Sequence, residues 1–67
     1  MNEELMLSVE KTGKLMGVSR QIAYKLSRRA DFPTLRIGRR VLVPRKQLEE
    51  WIERNVTGAE VRFDQAD

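Results

Sequence analysis

The chain has 67 residues, 13 of them Lys or Arg and 10 Asp or Glu, with no cysteine and no histidine. One domain is the upper limit at this length, and a chain so short has little room for both a core and a substrate pocket. Disulfides, thiolate metal sites and the commonest acid–base side chain are excluded, so a binding protein with no cofactor, metal or small-molecule substrate is expected rather than an enzyme.

The apolar fraction of 40% and charged fraction of 34% are ordinary for a globular domain. No apolar run approaches the roughly 18 residues of a membrane span. Met1-Asn2-Glu3-Glu4 is acidic where a secretory signal carries basic residues, which predicts a soluble, cytoplasmic protein without membrane contact. The net charge of +3 hides a lopsided distribution. Arg20 to Lys46 holds nine basic residues against Asp31 alone, a balance of +8, and the flanks together carry −5. A basic middle between acidic ends is the electrostatic footprint of a polyanion binder.

Leu5, Leu7 and Val9 alternate with Met6 and Ser8 as a short extended lead-in. Ser8 then suits an N-cap, and Glu10 suits the positive end of the helix that follows. Val9, Thr12, Leu15 and Met16 fall at helical spacing and predict a first helix over 9–16. Gly13 inside it costs about 1 kcal/mol relative to alanine, unless close packing against a neighbouring helix requires a missing side chain. In Gly17-Val18-Ser19 the glycine ends one helix, the valine plugs the gap and the serine caps the next, as in a tight helix-turn-helix.

The second helix is expected from about Arg20 to Arg29. Ala23, Leu26 and Ala30, with Ile22 beside them, make its inward stripe, and Arg20, Gln21, Tyr24, Lys25 and Arg28 face outward. Asp31-Phe32-Pro33 breaks it, with Phe32 as a core anchor. Thr34–Ile37 and Val41–Val43 read as two short strands around Gly38-Arg39-Arg40. A three-residue turn pairs Ile37 with Val41 and Leu35 with Val43, with all four on the core face and Arg36 and Leu42 outside. A two-residue Gly38-Arg39 turn puts Arg40 beside Ile37 instead, and burial favours the longer turn. Pro44 opens a last helix whose buried face is Leu48, Trp51, Ile52 and Val56, with Glu49, Glu50, Glu53 and Arg54 solvated. Thr57-Gly58 ends that helix. The domain therefore spans 1–56, followed by a disordered acidic tail over 57–67.

The expected class is α+β: a small winged helix-turn-helix of three helices with a two-stranded hairpin wing. A B-DNA major groove of about 12 Å admits one α-helix, which makes the second helix the recognition helix. Arg20 and Gln21 lie at its N-terminal end, matched to guanine and adenine edges respectively. Tyr24 and Lys25 can reach a phosphate or a groove wall, although Tyr24 can equally pack on the wing, and Arg28 can hold the flanking backbone. Arg39 and Arg40 at the hairpin tip suit a narrow minor groove, against the alternative that they only guard an exposed edge. Arg36, Arg45 and Lys46 can extend the contact. Trp51 has core spacing rather than the placement of a base-stacking platform, and the glutamates of the last helix read as a solvated face.

Leu7-Ser8-Val9, Leu15-Met16-Gly17-Val18-Ser19-Arg20, Tyr24-Lys25-Leu26, Arg36-Ile37-Gly38-Arg39-Arg40-Val41, Val43-Pro44-Arg45 and Leu48-Glu49-Glu50-Trp51-Ile52 together resemble the excisionase-type, MerR-like winged helix-turn-helix domains of phages and integrative elements. The resemblance covers roughly residues 5 to 54. It departs at Lys11 and Gly13, where acidic and alanine-like residues are more usual. It implies double-stranded DNA as the partner, contacted through Arg20, Gln21, Tyr24 and Lys25 of the recognition helix and Arg39 and Arg40 of the wing. The leading expectation is a recombination directionality factor that bends attachment-site DNA for an integrase, with further copies of itself on repeated sites. It is favoured because no effector or dimerisation domain is visible. Alternatives are a small transcriptional regulator of a mobile element, and a protein-interaction module with only non-specific DNA affinity.

Overall fold

The computed structural model describes residues 4–56 and Val61. Its order is β1 (Met6–Ser8), α1 (Val9–Met16), α2 (Arg20–Ser27), β2 (Leu35–Ile37), β3 (Arg40–Pro44) and α3 (Arg45–Arg54).

The helix-turn-helix forms as its punctuation dictates. Ser8 Oγ accepts the Lys11 amide at 3.0 Å, and Ser19 Oγ accepts the Ile22 amide at 3.2 Å. Each hydroxyl satisfies a donor that the first helical turn leaves free. Gly17 takes φ +78°, and the amides of Gly17 and Val18 return to the carbonyls of Lys14 and Gly13 at 3.3 and 3.0 Å. That pair of bonds is the Schellman closure of a helix, and a left-handed residue is its requirement. Buried Thr12 donates its hydroxyl to the Ser8 carbonyl at 2.8 Å. The inward stripe of α1 is Val9, Thr12, Gly13 and Met16, whereas Leu15, expected inward, is 55% exposed. The cause is Gly13, the point of closest approach to α2: a Cβ built there lies 2.8 Å from the Ala23 Cβ, so the contact stripe runs through it.

The second helix is shorter than expected. Ser27 Oγ donates to the Tyr24 carbonyl at 2.7 Å, and the amides of Arg28 and Arg29 bond to Lys25 and Leu26, three residues back. This tightening of the last turn ends α2 at Ser27 and leaves Ala30, expected in the core, exposed.

The two-stranded hairpin forms as expected, and the lead-in is a true strand that joins it, which makes a three-stranded antiparallel sheet in the order β1-β3-β2. Leu7 lies opposite Val43, and both are essentially inaccessible. The expected three-residue turn is corrected. Ile37 pairs with Arg40, Arg36 with Val41 and Leu35 with Leu42 around Gly38 and Arg39. Gly38 has φ +60° and no other described residue of the turn has positive φ. A positive φ at the first position alone is the type II′ pattern, whose twist matches that of paired strands. The register leaves Leu35 and Ile37 exposed at 47% and 54%, because it turns them to the face opposite that of Leu7 and Val43 and brings Arg36 to the core side instead.

Pro44 precedes α3 as expected. Leu48 and Trp51 of α3 close the core with Leu7, Val9, Ala23, Leu26, Phe32 and Val43. Phe32 and Trp51 meet edge to face, with centroids 4.8 Å apart at 72°. Val56, expected on the buried face, is 65% exposed. The helix stops before it, where Asn55 donates its amide to Ile52 at 2.9 Å and its side chain to the Trp51 carbonyl at 2.8 Å. Val61 packs against the core, and the expected helix end at Thr57-Gly58, like the rest of the tail, falls outside the described residues. Among the described residues no helix is long and apolar enough to cross a membrane.

One polar contact stitches the α2–β2 connection to α3. Asp31 accepts from Arg29 at 2.8 and 3.1 Å, and from the Trp51 indole at 3.4 Å. The Arg29 guanidinium holds the Asp31 carboxyl below the usual carboxylate range, against a smaller opposing effect of burial, with the indole assisting. A carboxyl with a depressed folded-state pKa stabilises the fold above its unfolded value and loses that contribution as pH falls through the folded one. With its side chain 52% exposed, the pair is worth at most about 1 kcal/mol. Asp31→Asn is therefore expected to lower the melting temperature by a few degrees at neutral pH. At an acid pH below the depressed folded-state value the two proteins should melt together, since the wild-type carboxyl is itself protonated there. Equal destabilisation at both pH values counts against the charge-based account.

Candidate nucleic-acid interface

The outward face of α2 carries Arg20, Gln21, Tyr24, Lys25 and Arg28, which together line one shallow, open depression. The five expected helix residues thus share a surface. Tyr24 also lines a second cleft with Arg39, Arg40, Val41 and Leu42, so the α2 face runs into the hairpin without a break. Both readings of Tyr24 meet in this placement: it borders the wing and remains 38% exposed.

The two hairpin arginines are not equivalent. Arg39 stands in the turn, whereas Arg40 opens β3 and lies opposite Ile37. Gly38, free to take φ +60°, turns the chain so that both can be carried at the tip. Among the described residues neither arginine is held in an ion pair. Arg36, expected to point away from the core face, pairs with Val41 and so shares the side of the sheet on which Val41 and Val43 lie. There it borders, with Arg28 and Arg54, an open cleft of about 740 Å³ between the end of α2, β2 and α3. Arg36 therefore links the wing to the C-terminal end of the α2 face.

Arg45 has a different job from the one its charge suggests. Its amide bonds to the Leu5 carbonyl at 2.9 Å, its Nε to the Glu4 carbonyl at 3.2 Å, and its guanidinium faces Glu49 at 3.8 Å. It ties the chain before β1 to the start of α3.

The residue that sequence reasoning missed is Glu10. Its Oε2 lies 2.9 Å from a terminal nitrogen of Arg20. The guanidinium also lies over the Tyr24 ring, 5.9 Å from its centroid. The signal was present, because a tight turn brings the N-terminal turn of one helix beside that of the next. From the sequence, Glu10 is accounted for by the dipole of its own helix alone.

A family model described as a helix-turn-helix domain matches residues 6–56. No curated protein and no solved structure matches the chain. The match runs from β1 through α3, covering every element described above, and the chain belongs to this family of small, excisionase-like helix-turn-helix DNA-binding domains.

Proposed function

We propose that the protein recognises duplex DNA sequence-specifically, with α2 in a major groove and the β2–β3 hairpin in the adjacent minor groove. The observation that carries this reading is the continuity of the α2 face with the arginine-tipped hairpin through Tyr24. Arg20 and Gln21, at the N-terminal end of α2, are the base readers; Lys25 and Arg28 hold phosphates, and Arg36 extends that grip beside the wing. Arg39 and Arg40 enter the minor groove, where a narrow groove concentrates negative potential.

Engaging two successive grooves with so small a body favours a duplex bent toward the protein, since a bend lets both elements seat at once. The role that follows is that of an excisionase-like directionality factor, bending attachment-site DNA for an integrase, with several copies on repeated sites. It is a binding role, with no chemistry asked of the side chains.

Selection from a random duplex pool across a salt series tests the reading. Binding should weaken steeply with salt, and one short motif should survive at the highest salt. A circular-permutation assay on that motif should then show a bent complex. Survival of no motif removes the base-reading role of α2, and a straight complex removes the directionality role in favour of a transcriptional regulator.

A further inference from the structure

Arg20 is an unexpected residue with which to open a helix. The free amides of the first turn of α2 carry partial positive charge, so a cation there opposes the helix dipole. No acidic residue in that turn offsets it. The offset comes from another helix: Glu10, in the first turn of α1, reaches Arg20 at 2.9 Å. The Glu10 carboxylate is itself favoured by the N-terminus of α1. The Tyr24 ring takes one face of the guanidinium. A carboxylate on one nitrogen and an aromatic ring on one face leave other donors of the planar fork open, on a side chain that is 73% exposed.

We infer that Glu10 is a positioning residue for base recognition, holding Arg20 in the forked presentation that matches guanine O6 and N7. The inference rests on the reading of α2 as the recognition helix. Two physical effects support it. Ordering a long side chain in the free protein removes part of the entropy lost when it binds. A carboxylate beside that arginine also repels phosphate, so it penalises the competing contact in which Arg20 swings onto the backbone. Specificity is a difference of affinities, and a group that weakens the wrong contact raises it even while lowering affinity overall.

The test uses the full chain and the same random-duplex selection, with Arg20→Ala, Glu10→Gln, Glu10→Asp and the Arg20→Ala/Glu10→Gln double variant. Arg20→Ala should lose the preference for guanine at one position of the motif. Glu10→Gln should weaken that same preference about tenfold. It should also tighten binding to unrelated duplex, since one repelling charge is gone. Glu10→Asp should recover part of the preference, and in the Arg20→Ala background Glu10→Gln should change the selected motif no further. A purely structural role for Glu10 predicts instead a loss spread evenly over the motif, and that outcome overturns the inference. So does a Glu10→Gln motif that keeps its guanine. If the unmodified protein selects no motif, the interface reading and this inference fall together. If it selects one that Glu10→Gln leaves intact, only the inference falls.

Discussion

Exchanging both hairpin arginines for glutamate, in the Arg39→Glu/Arg40→Glu variant, is expected to weaken duplex binding about a hundredfold or more near physiological salt, because like charges brought together cost several kcal/mol. The melting temperature should stay nearly unchanged. Arg39 stands in an exposed turn and Arg40 at the exposed start of β3, and surface substitutions away from caps and cores usually stay within about 0.5 kcal/mol. Each phosphate contact contributes about −0.9 to the slope of log affinity against log salt, so losing two should flatten the slope by about 2. An Arg39→Lys/Arg40→Lys variant separates charge from shape. It keeps the positive charges and so the salt slope, but the ammonium lacks the planar fork and is more strongly hydrated, so any preference for narrow A·T-rich minor groove should fade. Glutamate variants that bind duplex as the native chain does would remove the wing from the interface and leave α2 to act alone.

The features that were legible in the sequence are those whose cause is local. Ser8 and Ser19 cap because a hydroxyl beside free amides needs no tertiary partner, and Gly17 closes α1 because its left-handed φ is intrinsic to glycine. Phe32 and Trp51 could be assigned to the core because helical spacing and a break at Pro33 leave them nowhere else to go. The candidate interface was legible for the same reason: a polar stripe opposite a buried one, and two arginines after a turn glycine, require only period and composition.

What could not be read depended on where the core lies. The pairing of Leu7 with Val43 joins segments far apart in sequence, and nothing near Leu7 announces a partner, so β1 looked like a lead-in. The hairpin register differs from the one that burial favours: a shift of one residue turns Leu35 and Ile37 away from the core and brings Arg36 to its side. Turn geometry decides instead, through Gly38 at the first position of a two-residue turn. The ends of α2 and α3 were set by single side chains, Ser27 and Asn55, taking the last carbonyls. Arg45 and Arg29 show the limit of charge counting: in the basic segment both are tied into the fold, Arg45 to the Glu4 carbonyl and Arg29 to Asp31.

Gly13 is where the fold and the candidate interface depend on the same atom. Gly13→Ala should gain about 1 kcal/mol of helix propensity and lose about 1–3 kcal/mol to overpacking, because the new Cβ meets the Ala23 Cβ at 2.8 Å where carbons settle at about 3.5–4.0 Å. Nor can Ala23 yield by changing rotamer, so α1 and α2 must part. A net loss of up to about 2 kcal/mol in a domain of this size lowers the melting temperature by up to roughly 15 °C. Gly13→Val adds branching at the same point. Against a total stability of about 3–10 kcal/mol for such a chain, it should leave a substantial fraction unfolded at 37 °C. Thermal melts give both values, and the Gly13→Ala/Ala23→Gly pair identifies the cause. If the clash is what matters, removing the opposing Cβ should restore the approach, and the double variant should be more stable than the sum of the two single losses predicts. Additive losses would mean that Gly13 is present for backbone reasons alone. The same displacement reaches the interface, because α2 carries Arg20 and Gln21 while the hairpin is held to the sheet. A Gly13→Ala protein that still folds should therefore bind duplex with reduced discrimination at the base-reading positions and an unchanged salt slope, since no charge has been altered.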